Sequence, residues 1–157
     1  MTEQFHLSLR RRRKGVRRPV ESKYTNYFEV LEVRPAIGRG FAEVEGSSAG
    51  GAPVAVISYA LWKSRYKGED TVLGKTISPN KHAFTIIGVA PREFQGSYTA
   101  LRCDIWVPLV MDGQLVPGGS RLEVRDNTWV NALGRLQPGV HREQAQTELD
   151  AEFQQLV

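Results

Sequence analysis

The chain has 157 residues, with 21 Lys or Arg against 17 Asp or Glu, a length typical of one domain with a real core. The excess positive charge is N-terminal: residues 1–20 hold seven basic residues and one acidic residue, which leaves 14 and 16 in the remainder. This near-neutral body argues against a polyanion-binding surface, the single cysteine excludes an internal disulfide, and no apolar stretch approaches the ~20 residues of a membrane span.

The N-terminal segment, residues 1–23, carries a block of like charges and no apolar periodicity. We expect a basic, solvated tail without regular structure, followed by one domain over residues 24–157. The segment does not have the form of a secretory signal, because no apolar stretch of about 7 to 15 residues follows the basic run. Its charge has three interpretations: nucleic-acid binding, a membrane-flanking segment, or no role.

Order is expected to begin at a short helix. Asn26 is placed to cap it, with Glu29 three residues on, and Tyr27 and Phe28 supply its apolar face. We expect this helix to end before Pro35.

Glycines dominate the next stretch. Gly38 and Gly40 bracket Arg39 in a predicted turn, and residues 43–53 have the composition of a flexible loop. Residues 53–57 are then β-branched and apolar, which predicts a buried strand.

A helix should follow that strand directly. Ser58 can cap a helix that runs through Leu61 and Trp62 and stops at Gly68. Residues 75–78 and 83–90 then predict a β-hairpin.

The rest of the chain is expected to add strands at residues 104–107 and 128–136. The final helix should pack on the sheet through Ala145, Leu149, Phe153 and Leu156, which recur along one face. The fold class is therefore α+β, a mixed β-sheet with packed helices.

Two short patterns imitate enzyme motifs. Residues 46–50 match the Gly-x-Ser-x-Gly nucleophile pattern, but neither a strand before nor a helix after is predicted. Residues 74–76 imitate the end of a phosphate-binding loop, but Glu69 stands where the motif needs its first glycine. We predict no catalytic residue, no nucleotide or cofactor site and no enzymatic activity.

Metal binding is not expected either. His6, His82 and His141 are far apart, and none has another histidine or a cysteine at metal-ligand spacing.

An ordered series of motifs resembles the MacB-like periplasmic core domain of bacterial ABC-transporter permeases, as found in the duplicated permeases of acidobacteria. The series includes residues 25–31, 33–41, 53–62, 72–76, 84–91, 94–96, 104–109 and 133–140, and then the helix containing residues 144–149. The family-motif positions, which are structural, are Asn26, Tyr27, Phe28, Gly38, Gly40, Leu61, Trp62, Gly74, Gly88, Trp106, Pro108, Gly134, Pro138 and Gly139.

The resemblance implies an extracytoplasmic domain at the periplasmic face of the inner membrane. Its expected partners are the transmembrane helices of the parent permease and a cytoplasmic ATP-binding subunit, and no nucleic acid or metal is expected. The implied role is to couple ATP-driven membrane movements to substrate export or mechanotransmission.

Some positions depart from the family pattern. Glu32 stands where a glycine is common, and residues 79–81 replace the usual Asn-Gly hairpin turn. We expect the N-terminal part of the domain to be missing, residues 1–20 to be foreign to the family, and the chain to be a fragment of a larger permease.

Two other functions stay open. One is a free-standing protein-binding module that keeps the fold without the transporter. The other is a nucleic-acid binder that acts through its basic tail, for which binding should weaken steeply with salt.

Overall fold

The computed structural model describes residues 20–97, 102–116, 119–120, 122 and 134–155. Within these ranges one mixed sheet is formed by β1 (Val20–Lys23), β2 (Ile37–Gly38), β3 (Val54–Ile57), β4 (Thr76–Ile77), β5 (Phe84–Val89) and β6 (Ile105–Pro108). The strand order is β1-β6-β3-β5-β2, and β4 pairs with the start of β5. Strand β1 runs parallel to β6, and β3 runs parallel to β5.

The described helices are α1 (Tyr27–Val30), α2 (Tyr59–Tyr66), α3 (Asp112–Leu115) and α4 (Arg142–Gln155). Short 3-10 turns at residues 43–46, 70–72, 79–81 and 109–111 connect the other elements. Helices and a mixed sheet in one unit confirm the predicted α+β class.

The sheet begins earlier than the sequence analysis predicted. Residues 20–23, assigned to a tail without structure, form β1, which pairs with β6 from Val20 opposite Ile105 to Lys23 opposite Pro108. That part of the prediction is wrong because β6, 85 residues away in sequence, supplies the hydrogen bonds, and such a partner leaves no local signal. Residues 1–19 lie outside the described residues.

The predicted strand-to-helix unit at residues 53–66 is confirmed. Ser58 follows β3 in an extended conformation, and its Oγ accepts a hydrogen bond of 3.0 Å from the Leu61 N–H. The same hydroxyl donates to Asp104 Oδ1 at 3.0 Å, just before β6. The helix cap is thus tied to the neighbouring strand.

The predicted hairpin at residues 75–90 is also confirmed, as β4 and β5. Asn80 and Lys81 form its turn with φ of 50° and 71°, a conformation in which glycine is favoured. The Asn80 Nδ2 donates to the Leu115 carbonyl at 2.8 Å and holds the turn against α3.

Helix α1 forms as predicted, but Asn26 makes no side-chain capping bond, so the predicted cap is wrong. The other end is closed by backbone hydrogen bonds from Val33 to the Phe28 carbonyl and from Glu32 to the Glu29 carbonyl. This pattern is a Schellman motif, and it places Glu32 in the left-handed region with φ of 55°. Glycine adopts this left-handed conformation easily, which explains why the family usually has glycine at this position.

Gly38 lies in strand β2 and not in the predicted turn with Gly40. It pairs with Gly88 of β5, where the pairing of β5 with β3 shifts register. A Cβ on Gly88 would come within 2.2 Å of the Arg39 carbonyl oxygen, and a Cβ on Gly38 within 2.2 Å of the Ile87 carbonyl oxygen. Both glycines are therefore required by close backbone contact.

The two faces of the sheet are covered differently, because side chains alternate along each strand. The α2 face comprises the buried residues Ala55, Ile57, Leu61, Trp62, Val72, Ile77, Phe84, Ile86, Val89, Ile105, Val107, Met111 and Leu115. The aromatic face comprises Tyr27, Phe28, Val56, Ala90, Cys103 and Trp106, with Phe41 and Phe94 packed against them.

Two further predictions concern the end of the chain. Helix α4 forms as predicted. Its Leu149 is 45% exposed, so the prediction that this residue packs on the sheet is wrong. The Phe153 side chain and Leu156 lie outside the described residues. So do residues 128–133 of the predicted last strand, and residues 134–136 belong to no strand.

Candidate functional site

The aromatic face is a close cluster of rings beneath α1. The Phe94 ring centroid lies 5.2 Å from that of Trp106 and 5.8 Å from that of Phe28, and the Tyr27 and Phe28 rings meet edge to face at 5.3 Å. Such pairs add about 0.5–1.5 kcal/mol each to the energy of burial. Trp106 is fully buried, and its strand β6 pairs with β1 on one side and with β3 on the other.

A polar cluster lies at the β1 end of this face. Lys23 is only 6% exposed, and its Nζ lies 3.2 Å from Glu21 Oε2 and 3.3 Å from Ser97 Oγ. The ammonium also stands 4.7 Å from the centroid of the Tyr27 ring. The carboxylate and the ammonium, two residues apart on one strand, therefore point to the same buried face.

The polar cluster does not have the properties of a catalytic site. Burial raises the pKa of the Cys103 thiol well above its usual value, and the Glu21 carboxylate raises it further. Burial likewise raises the pKa of the Tyr27 phenol, which the nearby Ser97 offsets only in part. Because a reactive cysteine needs a lowered pKa and access to solvent, Cys103 is not suited to act as a nucleophile.

The other family-motif positions are spread over the domain. Leu61 and Trp62 are buried on the α2 face, where the Trp62 Nε1 donates to the Glu69 carbonyl at 2.9 Å. Pro108 ends β6, and Gly40 lies beside the Phe28 ring. Gly74 has φ of 81° and open space around it.

The remaining positions, Gly134, Pro138 and Gly139, lie in the segment before α4. Gly139 has φ of 85° in a turn closed by the Val140 N–H and the Gln137 carbonyl. This segment and the end of α1 line an open groove of about 770 Å³. Its lining residues are Glu32, Arg135, Leu136, Gln137, Pro138, Val140, His141, Arg142 and Glu143.

Arg135 connects the two sides of this groove. Its Nε donates to the Val30 carbonyl at 3.1 Å, and its Nη2 lies 3.3 Å from Glu32 Oε2. The groove is lined by charges of both signs. Within the described part of the chain, no three His, Cys, Asp or Glu side chains are grouped so as to hold a metal ion.

The sequence analysis did not single out Glu21, Lys23, Ser97 or Cys103 as a group. Two of them fall in the segment assigned to the tail, and the others lie more than 70 residues further on. The alternation of Glu21 and Lys23 around Ser22 is compatible with a strand, but it predicts outward-facing charges. Only the parallel pairing with β6, which places Glu21 opposite Trp106, reveals that these charges point inward.

A sequence model of the MacB-like periplasmic core domain matches residues 4–152. The chain belongs to this family. The match begins at residue 4 and takes in most of the basic segment, so it does not support the expectation that residues 1–20 are foreign to the family. No match was found among curated proteins.

The chain is similar to solved structures, and the first of them shares its fold. The periplasmic region of MacB from Actinobacillus actinomycetemcomitans aligns with a TM-score of 0.63 and 20% identity, over 87% of this chain and 56% of that one. The extracellular domain of the ABC-type transporter YknZ from Gram-positive bacteria aligns with a TM-score of 0.45 and 19% identity, over 57% of this chain and 42% of that one. The chain thus spans about half the length of these structures.

The family places the chain among the extracytoplasmic domains of ABC-transporter permeases. In the described residues no helix is long and apolar enough to cross a membrane.

Proposed function

We propose that this domain couples ATP-driven movements of the transmembrane helices of a permease to export or mechanotransmission outside the membrane. Its partners would be those helices and a cytoplasmic ATP-binding subunit. The domain would supply no catalytic residue, and its contribution would be to move as a rigid body.

The observation that carries the proposal is the position of β1. This strand pairs in parallel with β6 over four residues, and β6 in turn joins β3 in the middle of the sheet. A force applied along β1 would load this pairing in shear, so that several hydrogen bonds resist together. A strand at this position therefore suits a domain that passes on movement from the segment before it.

The packing of both faces supports the same role. Close-packed interiors have low compressibility and transmit strain. Here Trp106 on one face and Ile105 and Val107 on the other are buried side by side on β6. A displacement of β1 would therefore move the sheet together with both of its covering layers.

The proposal is tested in membranes that contain the permease carrying this domain and its ATP-binding subunit. One label is placed at the exposed Ala60→Cys on α2 and a second in the membrane region, and the distance between them is measured with and without nucleotide. We expect ATP to change this distance, and an ATP-binding subunit unable to bind nucleotide to abolish the change. A distance that ignores nucleotide would contradict the proposal.

The two other functions give different results in the purified chain. A free-standing binding module would retain a soluble protein partner without any ATP-binding subunit. A nucleic-acid binder would bind DNA or RNA with an affinity that falls steeply with salt and is lost with residues 1–20.

A further inference from the structure

Glu32 adopts a conformation that glycine would adopt more easily. It has φ of 55° in the Schellman motif that ends α1. A non-glycine residue there is strained, because its Cβ crowds the backbone. No buried contact accounts for the glutamate, whose side chain is 72% exposed.

The Glu32 side chain does have one partner, Arg135. The guanidinium Nη2 lies 3.3 Å from Glu32 Oε2, and the Nε of the same group donates to the Val30 carbonyl at 3.1 Å. One arginine thus contacts both a carbonyl of the last turn of α1 and the residue that ends this helix. These two contacts span more than 100 residues of sequence.

Arg135 belongs to a segment that lies largely in solvent. Residue 141, just before α4, and residues 142–144 and 146–150 of α4 are exposed. The open groove separates this segment from the end of α1, and Arg135 crosses between them. Since exposed ion pairs are weak and are screened by salt, this connection can open at little cost.

We propose that Arg135 and Glu32 form a releasable clasp that fastens the segment carrying α4 to the end of α1. The Schellman motif sets the left-handed conformation of residue 32, and a glutamate at this position supplies the carboxylate half of the clasp. When the clasp opens, residues 134–155 can change their position relative to the sheet. The clasp requires neither a membrane nor ATP, so it stands or fails separately from the proposed function.

The test measures a distance in the purified 157-residue chain. Spin labels are attached at Ala60→Cys on α2 and Gln144→Cys on α4, both at exposed positions, and pulsed dipolar spectroscopy gives the distance distribution. Single-label variants verify that the buried Cys103 stays unlabelled. The distance distribution is recorded for this doubly labelled chain and for the same chain with the further substitution Arg135→Gln or Glu32→Gly.

A matched control separates the clasp from strain relief. Lys67 at the end of α2 also has φ of 55°, so Lys67→Gly removes the same kind of strain at a site away from the groove. We expect a narrow distribution in the starting chain and with Lys67→Gly, and a severalfold broader one with Arg135→Gln and with Glu32→Gly. About 1 M salt, which shortens the Debye length to ~3 Å, should broaden only the two clasped proteins.

The melting temperature supplies a second readout. Glu32→Gly should broaden the distribution while melting no lower than the starting chain, because strain is removed as the clasp is lost. An unchanged distribution in Arg135→Gln, or broadening in Arg135→Gln without broadening in Glu32→Gly, would overturn the clasp.

Discussion

The two faces of the sheet differ in how their side chains are held. The α2 face is filled mainly by aliphatic side chains that need only to fit, such as Ile57, Leu61 and Ile86. The aromatic face combines rings with an ammonium, a carboxylate and a thiol at the β1 end. The α2 face therefore contributes mainly hydrophobic burial, whereas the contacts of the aromatic face determine how β1 and α1 are positioned.

The largest expected effect tests the aromatic face at its centre. Trp106→Ala should destabilise the domain by about 3–5 kcal/mol, because it removes a fully buried ring that contacts Phe28 and Phe94. Denaturant unfolding measures the change. Cys103 and Trp106 both lie beside Gly96. The Cys103 thiol should therefore also become reactive toward a thiol reagent at denaturant concentrations below the unfolding transition.

A control from the α2 face sharpens the difference. Leu61→Ala should cost about 2–5 kcal/mol, yet leave Cys103 protected until the whole domain unfolds. Equal thiol reactivity in the Trp106 and Leu61 variants would show that the two faces open together, against the comparison.

The second effect concerns the buried charges. Lys23→Met should cost about 3 kcal/mol, because the Glu21 carboxylate stays largely buried without its cation. The double variant Lys23→Met with Glu21→Gln should recover most of this loss. Thermal unfolding of the two single variants and the double variant gives the coupling, and Lys67→Met, at an exposed lysine, should change stability by less than about 0.5 kcal/mol.

The elements of the sheet also show which parts of the fold can be predicted from the sequence. The strand at residues 54–57, its Ser58 cap and the hairpin were predictable because each is specified by neighbours in sequence. Strand β1 was not, since its partner β6 is remote and its own residues are half charged. The motif glycines were recognisable, but that Gly38 and Gly88 face each other follows only from the pairing of β2 with β5.

The candidate sites were less predictable than the fold. Tyr27, Phe28 and Trp106 could be named as motif residues, whereas the buried pair of Glu21 and Lys23 could not. Arg135 and Glu32 were visible in the sequence only as a motif arginine and a departure from glycine. Their meeting depends on how residues 134–141 lie against α1, which no local pattern specifies.

A smaller effect is expected at Glu32, which ends the helix α1 that covers the aromatic face. Glu32→Gly should raise the free energy of unfolding by about 0.5–1 kcal/mol, since the gain from relieved strain exceeds the loss of an exposed ion pair. Chemical denaturation detects the change, with Lys67→Gly as the parallel case on α2. A clear loss of stability in Glu32→Gly would show that the ion pair outweighs the strain.

The smallest effect is a pH dependence at the edge of the aromatic face. Burial alone would raise the pKa of Glu45, but hydrogen bonds from Arg39 and the Ala42 N–H lower it below its usual value. A carboxyl with a lowered pKa stabilises the fold above its ordinary pKa and loses this contribution as the pH falls through the lower value.

The contribution of Glu45 should therefore disappear as the pH falls below about 4. Because Arg39 is exposed, we expect no more than about 1 kcal/mol. Unfolding curves of the native chain and of Glu45→Gln should differ at pH 7 and converge in acid. Parallel curves over the whole range would contradict this assignment.

The central claim is that this domain works outside the membrane as part of an ABC-transporter permease. The most direct measurement is to sequence the DNA on both sides of the reading frame and translate it in all frames. Our account predicts membrane-spanning helices encoded beside the domain and an ATPase gene nearby. Finding neither would contradict the account and favour a free-standing binding module with the same fold.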